Sequence, residues 1–282
     1  MKLINSSYKI LPQAPRMEGV YKQIELAGRT CYKSVRKEGT TAKDFVDRMI
    51  KSQHYAMLEH GTVYLKIPKG TYAHDHYVVA CLPDDDFFSN SYELAYRPYT
   101  KVNIQEDYIY VTTNLRVLQE HNLFDDLKYL CEPTEYHEKR VTVRFVTSNG
   151  IAREFTRHRV FSFAQESTRY CNYTNQAKFG NELTYIHNSD EINIEQKDVY
   201  ERIERCYKNL IANGMKPQIA RDILPLALKT ELVMTGFVSD WDYFFDLRAR
   251  GTTGVPHPDA KALAEPLMHE FINRNYLDCH SN

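Results

Sequence analysis

Glycine is scarce in this chain. Eleven glycines in 282 residues is about 4%, against roughly 7% in an average protein, and no two are spaced as G-x-G. The dinucleotide fingerprint G-x-G-x-x-G and the phosphate loop G-x-x-x-x-G-K-[ST] are therefore both missing, so a nucleotide would have to be held some other way. The zinc-protease signature H-E-x-x-H and the nucleophile elbow G-x-S-x-G are missing too. Six cysteines (31, 81, 131, 171, 206 and 279) are scattered with no C-x-x-C pair. That pattern argues against a disulfide framework or a zinc site, and leads us to expect a cytoplasmic protein with no bound metal. No apolar run approaches the roughly 18–20 residues that cross a bilayer, and the first residues carry no apolar signal region, so no membrane association is expected. Charge of one sign is also lacking. With 36 Lys+Arg against 37 Asp+Glu the formal net charge is −1, unlike the basic balance of proteins that bind nucleic acid through its backbone, and no nucleic-acid partner is expected.

What is present is ample core. The chain is 43% hydrophobic and 12% aromatic, enough for one large domain or two small ones. Val20, Ile24, Ala27 and Cys31 recur at helical spacing and predict a helix near 17–28. Thr41-x-x-Asp44 resembles a capping box opening a helix to about Ser52. Alternation predicts strands at 62–67, with Val63, Leu65 and Ile67 on one face, and around Val141, Val143 and Phe145. Between them 68–140 is rich in Tyr, Asp and Asn, with a strand expected at Tyr108–Thr112. No flexible linker isolates it, so it reads as an insertion within a single domain. Ser148 is placed to cap a helix over 149–158. Asp198-x-x-Glu201 predicts a helix start, with Val199, Ile203, Cys206 and Leu210 on its inner face and an end near Gly214. Pro217 suits a first helical turn and Pro225 a stop. Ser239-x-x-Asp242 predicts a further capping box. A last helix over 258–274, bent by Pro266, would bury Ala260, Leu263, Leu267 and Phe271. The class expected is α+β, a sheet flanked by helices, with helices dominating the second half.

The densest run of functional side chains is Arg153–Tyr170. Arg153 and Arg157, at i and i+4, would share a helix face. Ser167 and Arg169, at i and i+2, would point the same way from an extended segment. Four arginines and a histidine this close repel one another unless anions are supplied, and Glu154 and Glu166 offset only part of the charge. Guanidinium forks suit phosphate, and Ser and Thr hydroxyls add neutral donors. The competing reading is a solvated basic helix. Phe155, Phe161 and Phe163 weaken it, because they bury the segment and buried arginines need partners.

Arg157-His158-Arg159, seven residues, then Ser167 closely resembles the R-H-R-x7-S motif of the flavin-dependent thymidylate synthases, and Arg169-Tyr170 extends the likeness. It continues at Gly28-Arg29-Thr30-Cys31-Tyr32, at His54 through Leu58-Glu59-His60, at Ile219-Ala220-Arg221 through Leu224-Pro225-Leu226, and at Phe245-Asp246-Leu247-Arg248. It covers most of the chain except 68–140. The resemblance implies a homotetramer with active sites between subunits, each holding FAD without a Rossmann domain. It implies methylation of dUMP to dTMP, with methylenetetrahydrofolate as carbon donor and NADPH as reductant. By position it implies dUMP contacts from Glu154, Arg157, Gln165, Ser167, Thr168, Arg169, Arg221 and Arg248. It implies FAD contacts from His54, Arg157, His158, Arg159, Gln165, Tyr243 and His257. Arg248 is the catalytic candidate, a permanently charged donor against a pyrimidine ring on which negative charge develops. Ala164 and Gln165 stand where Asn and Glu are common in that family. Glu154 stands where Gln is common, and would need a partner such as Arg153 or Arg157.

Other chemistry has less support. Ser167 as a nucleophile has only His158 nearby as a base, and reads better as a donor to the nucleotide. Cys171 as a thiol nucleophile is unneeded where electrons arrive through a flavin, and Cys31 reads as a small packed residue. His74-x-His76 with Asp75 lacks further metal ligands, and Asp84–Asp86 reads as a solvated turn. Two other functional classes compete with the flavoenzyme. A nucleotide- or RNA-binding module would show salt-sensitive polyanion binding. A phosphohydrolase would need a metal site that the sequence does not offer.

Overall fold

The computed structural model of the chain describes residues 1–71, 73, 99–189 and 191–278. The His74–His76 pair, the Asp84–Asp86 run, Cys81 and Cys279 lie outside the described residues. Three small sheets are built from strands β1 (Lys2–Ile4), β2 (Ser7–Ile10), β3 (Thr62–Pro68), β4 (Lys101–Ile104), β5 (Tyr108–Asn114), β6 (Arg140–Ser148), β7 (Ser162–Gln165), β8 (Thr184–Ile186) and β9 (Lys229–Phe237). The longer helices are α1 (Arg16–Tyr32), α2 (Ala42–Lys51), α3 (Leu115–Glu120), α4 (Asn149–Phe155), α5 (Ile194–Ala212), α6 (Val238–Phe245) and α7 (Pro258–Asn273). The result is the expected α+β class. Among the described residues no helix is long and apolar enough to cross a membrane.

The sheet that carries the site is antiparallel, in the order β2-β6-β9-β7. Its register sets Phe145 opposite Leu232 and Ala164 opposite Val233. One face buries Val143, Phe145, Leu232 and Met234 beneath the aromatics of α4, α6 and α7: Phe155, Trp241, Phe244, Phe245 and Phe271. Trp241 satisfies its indole N–H on the Val141 carbonyl at 3.1 Å, so the largest side chain in this core leaves no buried donor unpaired. Ala164 and Val233 meet Ala27 of α1. Small residues there bring the middle of α1 close to the strands. The second sheet, β3-β5-β4, packs with α1 and α2 around Ile24, Phe45, Val63, Leu65, Ile67 and Val111. The described end of the 68–140 excursion thus adds two strands to β3.

Several expectations hold. Thr41 and Asp44 form the capping box, with Asp44 N–H on Thr41 Oγ1 at 3.2 Å and Thr41 N–H on Asp44 Oδ2 at 2.7 Å. Ser148 Oγ accepts from Ile151 N–H at 3.2 Å, and α7 buries Ala260, Leu263, Leu267 and Phe271. Other expectations are corrected. Helix α4 stops at Phe155, three residues early, so Arg157 leaves the face that Arg153 occupies. Helix α5 begins earlier than Asp198, because Asn193 caps it and accepts from the Glu195 and Gln196 N–H groups. Its buried face is Tyr200, Glu204 and Tyr207, while Val199 and Cys206 are exposed. Ser239 does not cap α6. The carboxylate of Asp240 takes the Phe237 N–H at 3.2 Å, and Ser239 donates to Glu138 at 2.7 Å.

Candidate functional site

Helix α4 organises the site because its apolar residues leave no choice of orientation. Ile151, Ala152 and Phe155 are buried, which turns Arg153 and Glu154 toward different neighbours. Beyond its last turn His158 N–H donates to the Phe155 carbonyl at 3.1 Å, and Phe161 N–H to the His158 carbonyl at 3.1 Å. This fixes the imidazole beside the aromatic core, 5.0 Å from the Phe244 ring. The partner arrives from far along the chain. Trp241, Phe244 and Phe245 anchor α6, which continues as a π-helical turn over Asp246–Arg250, a widened geometry that recurs at functional sites.

That turn delivers Arg248. Its Nε donates to His158 Nε2 at 3.2 Å, its Nη1 to Glu154 Oε2 at 2.6 Å and its Nη2 to the Glu154 carbonyl at 3.1 Å. Three of five guanidinium N–H groups are thereby used, which aims the remaining donors rather than letting the side chain swing. Glu154 finds its partner in Arg248, not in Arg153 or Arg157. Burial, reinforced by the Arg248 charge, brings the pKa of His158 down to about 4. The ring is neutral at physiological pH. Tyr243 lies alongside, 6.4 Å from the imidazole and exposed.

The other side of α4 borders a cleft of about 530 Å³ lined by Asn149, Arg153, Thr168, Arg221, Asp222 and Leu224–Leu226. Arg221 Nη1 donates to Thr168 Oγ1 at 3.3 Å, and Arg169 Nε to Gln218 Oε1 at 3.4 Å. Gln165 Nε2 bridges Asn149 Oδ1 and Thr230 Oγ1, each at 3.3 Å. Segment 167–170 is a turn, not the extended stretch expected. Tyr170 and Cys171 N–H both donate to the Ser167 carbonyl, and Ser167 Oγ accepts the Arg169 N–H at 3.3 Å. A hydroxyl that bonds its own backbone two residues on favours such a turn. Two guanidinia and a hydroxyl at the mouth of an open cleft suit a phosphate monoester.

The structure thus brings together Arg248, Glu154, His158 and Tyr243 on one side of α4, and Gln165, Ser167, Thr168, Arg169 and Arg221 on the other. It does not bring in four residues of the sequence-based set. The side chains of Arg157 and Arg159 are exposed and make no hydrogen bond or ion pair among the described residues. His54 is exposed, ahead of the short 3-10 helix Tyr55–His60. His257 caps α7, its Nδ1 accepting the Asp259 N–H at 3.1 Å. The four described cysteines are free thiols. Burial raises both Cys31 and Cys171 to about 11, so neither is a thiolate nucleophile at neutral pH. No group of side chains that could hold a metal occurs among the described residues.

Sequence reasoning missed two contributors. Asn149 and Arg153 line the cleft without having been assigned to it. Beneath Ser167 lies a buried ion cluster, Glu166, Lys229, Glu231 and Lys33. Its members come from three stretches, around 33, 166 and 229–231, too far apart in sequence for any motif to link them.

The family model described as thymidylate synthase complementing protein matches residues 133–273, which include every sequence-based site residue except His54. A probable flavin-dependent thymidylate synthase of Paramecium bursaria Chlorella virus 1 is 32% identical over 145 residues, covering 46% of this chain and 67% of that protein. A flavin-dependent thymidylate synthase of Synechocystis sp. is 30% identical over 140 residues, covering 45% of this chain and 65% of that protein. The chain therefore spans about two thirds of the length of these relatives. Among solved structures, the UMP/dUMP methylase PolB of Streptomyces cacaoi bound with 5-Br dUMP aligns over 97% of this chain and 93% of its own, at 13% identity and a TM-score of 0.44. The same methylase with 5-Br UMP gives a TM-score of 0.45 at 13% identity.

Proposed function

The chain belongs to the thymidylate synthase complementing protein family, and from that premise we propose that it is a flavin-dependent thymidylate synthase, an enzyme that methylates dUMP to dTMP. The observation that carries the reading is the clasp on Arg248. A guanidinium 90 residues from His158 and 94 from Glu154 is fixed by both, while the same helix α4 carries on its other side a cleft lined by Arg153 and Arg221. A site built only for ion pairing would not need two spare donors held in place.

In this reading the nucleotide phosphate sits between Arg221, Arg169 and Thr168, and Ser167 and Gln165 hold the sugar and base. Arg248 faces the pyrimidine and stabilises negative charge as the ring is activated, with Glu154 and His158 holding it in line. Arg157 and Arg159, exposed and without acidic partners, have the character required for the diphosphate of FAD. Tyr243, His158, His54, Gln165 and His257 complete its contacts, the distant ones supplied by a second copy of the chain. Bound FAD would carry reducing electrons from NADPH to the one-carbon unit of methylenetetrahydrofolate. A cytoplasmic homotetramer with sites between subunits would let a second copy supply His54 and His257, neither of which bonds to the Arg248 cluster within this chain. The chain is then a single catalytic domain carrying an insertion at about 68–140.

An absorbance spectrum of the purified protein, alone and with dUMP, NADPH and methylenetetrahydrofolate, tests the reading. Flavin bands that bleach with NADPH, and dTMP formed only when all three are present, are expected. A protein that neither carries nor takes up flavin, or oxidises NADPH without forming dTMP, contradicts it.

A further inference from the structure

The turn that carries Ser167, Thr168 and Arg169 is closed by its own hydrogen bonds; what fixes it to the rest of the fold lies next to it. Glu166, immediately before it, has a fully buried side chain. Its carboxylate receives Lys229 Nζ at 2.7 Å and Lys33 Nζ at 3.4 Å on Oε2, and the Tyr173 hydroxyl at 3.2 Å on Oε1. Glu231 closes the cluster, pairing with both Lys33 and Lys229. Two ammonium groups and two carboxylates balance, so losing any one of the four leaves a net charge. Its members come from three separate places: the end of α1, where Lys33 caps the helix in a left-handed conformation, the start of β9, and the link between β7 and the turn.

Backbone bonds run alongside. Glu166 N–H donates to the Glu231 carbonyl at 2.8 Å, and Ser167 N–H to the Cys31 carbonyl at 2.9 Å. The turn is pinned at its entry, Ser167 to α1 and Glu166 to β9. The strand β9 also holds Gln165 through Thr230, and the Leu228 carbonyl next to it accepts from Asn149. The cleft wall and the ion cluster therefore hang from the same strand end.

We propose that Glu166 is a positioning residue: its pairing with Lys229 and Lys33 fixes the Ser167–Arg169 turn in the conformation that receives the nucleotide's phosphate and sugar. This deepens the functional reading above and rests on it. A neutral amide at 166 could still accept hydrogen bonds, but it would leave the buried cluster with one positive charge in excess, and breaking a buried pair from one side is strongly unfavourable.

The test uses the full-length, FAD-loaded protein and the variants Glu166→Gln, Lys229→Met and Glu166→Gln/Lys229→Met, with dUMP affinity by calorimetry and amide exchange at 167–171. Each single variant is expected to weaken dUMP binding about tenfold with flavin content retained, and to speed exchange of the Ser167 and Cys171 amides. The double variant, with charge balance restored, is expected to recover part of both, which a loss of packing alone would not do. Affinity within about twofold of wild type together with unchanged exchange in Glu166→Gln overturns the proposal. Should the buried variants not fold, Lys33→Met tests it from the cluster's rim, with unchanged affinity and exchange again decisive against it. If the wild-type protein binds no dUMP, the functional reading fails. The exchange measurement then decides the clamp alone, faster exchange in Glu166→Gln supporting it and unchanged exchange overturning it.

Discussion

Arg248 donates through Nε to the Nε2 of His158 at 3.2 Å. A guanidinium has no lone pair to offer, so that ring nitrogen must accept. The imidazole is then neutral, with its proton on Nδ1. Burial and the adjacent positive charge both oppose a second proton and hold the pKa at about 4.

The sign of the pH dependence follows. In the unfolded chain His158 titrates near 6.5, so as pH falls below that value the unfolded state takes up the proton first. Stability is complete above pH 6.5 and declines toward pH 4, by about 3 kcal/mol for this one group. His60, fully buried and held at about 3, extends the decline lower. NMR titration should show His158 neutral down to pH 5, and His158→Asn should flatten the dependence of Tm on pH between 6.5 and 4. A ring that titrates near 6.5, or equal slopes in the two proteins, contradicts the geometry.

Charge, not only shape, is at stake in the contact between Glu154 and Arg248. The carboxylate is partly solvated, yet it lies directly on the guanidinium that would face an anionic substrate. Glu154→Gln keeps a hydrogen-bond acceptor for Arg248 and removes the opposing charge. The KM for dUMP is expected to fall about threefold, the modest effect of a part-exposed ion pair, while Glu154→Ala, which frees the guanidinium to swing, raises it. Steady-state kinetics at fixed ionic strength distinguish these outcomes. A higher KM in both variants would mean that the carboxylate itself contacts the nucleotide.

Arg248→Lys preserves charge and loses the fork. A lysine cannot bond His158 and Glu154 together and still present two donors, so dTMP formation is expected to fall at least about a hundredfold, the scale of losing one preorganised donor. Flavin content should be unchanged. Activity within tenfold of wild type would remove Arg248 from the chemistry.

How much of this was legible beforehand depended on how local the determinant was. The capping box Thr41–Asp44 and the buried alternation of β3 were readable because each is written within a few residues. So was the gathering of arginines and hydroxyls over 153–170. The end of α4 at Phe155 was not. It is set by His158 and Phe161 turning into a core made by α6 and α7, a hundred residues on. The same reason hid the partner of Glu154, and hid the cluster under Ser167. Helix α5 was misread for a different cause. Val199 and Cys206 are apolar and periodic, but Asn193 offers a cap as good as Asp198 more than a turn earlier, and the face that packs is built largely from tyrosines, whose rings bury well while counting as half-polar in a pattern. Ser167 and Arg169 were given an extended geometry because alternation was the nearest template, whereas the hydroxyl's bond to the Arg169 amide decides for a turn.

Gly28 illustrates an effect that only packing reveals. A Cβ there would come 2.5 Å from the Phe45 ring, and that ring is buried, with the Arg29 and Arg48 guanidinia over it at 5.2 and 5.6 Å. Helix propensity alone would make Gly28→Ala stabilising by about 1 kcal/mol. Overpacking a confined aromatic costs about 1–3 kcal/mol. The clash should prevail, with a net loss of about 1 kcal/mol by chemical denaturation. A rise in stability would show that Phe45 has room to move.

Arg221 offers the cleanest separation of binding from chemistry. Its guanidinium reaches Thr168 at the mouth of the cleft, on the side of α4 away from Arg248, so it can meet a phosphate without touching the reacting ring. Charge-assisted hydrogen bonds to a phosphate contribute about 1.5–3 kcal/mol, which corresponds to a ten- to hundredfold rise in the KM for dUMP in Arg221→Ala. Because the lost contact is the same in ground and transition states, kcat should change little. Raising ionic strength should weaken dUMP binding less in the variant than in wild type, since one of the screened charges is gone. Deoxyuridine, which lacks the phosphate, provides the control: its weak turnover should be equal in the two proteins. A variant that loses kcat with KM unchanged, or that discriminates against deoxyuridine as strongly as against dUMP, would place Arg221 at the ring instead, and the two sides of α4 would have to exchange roles.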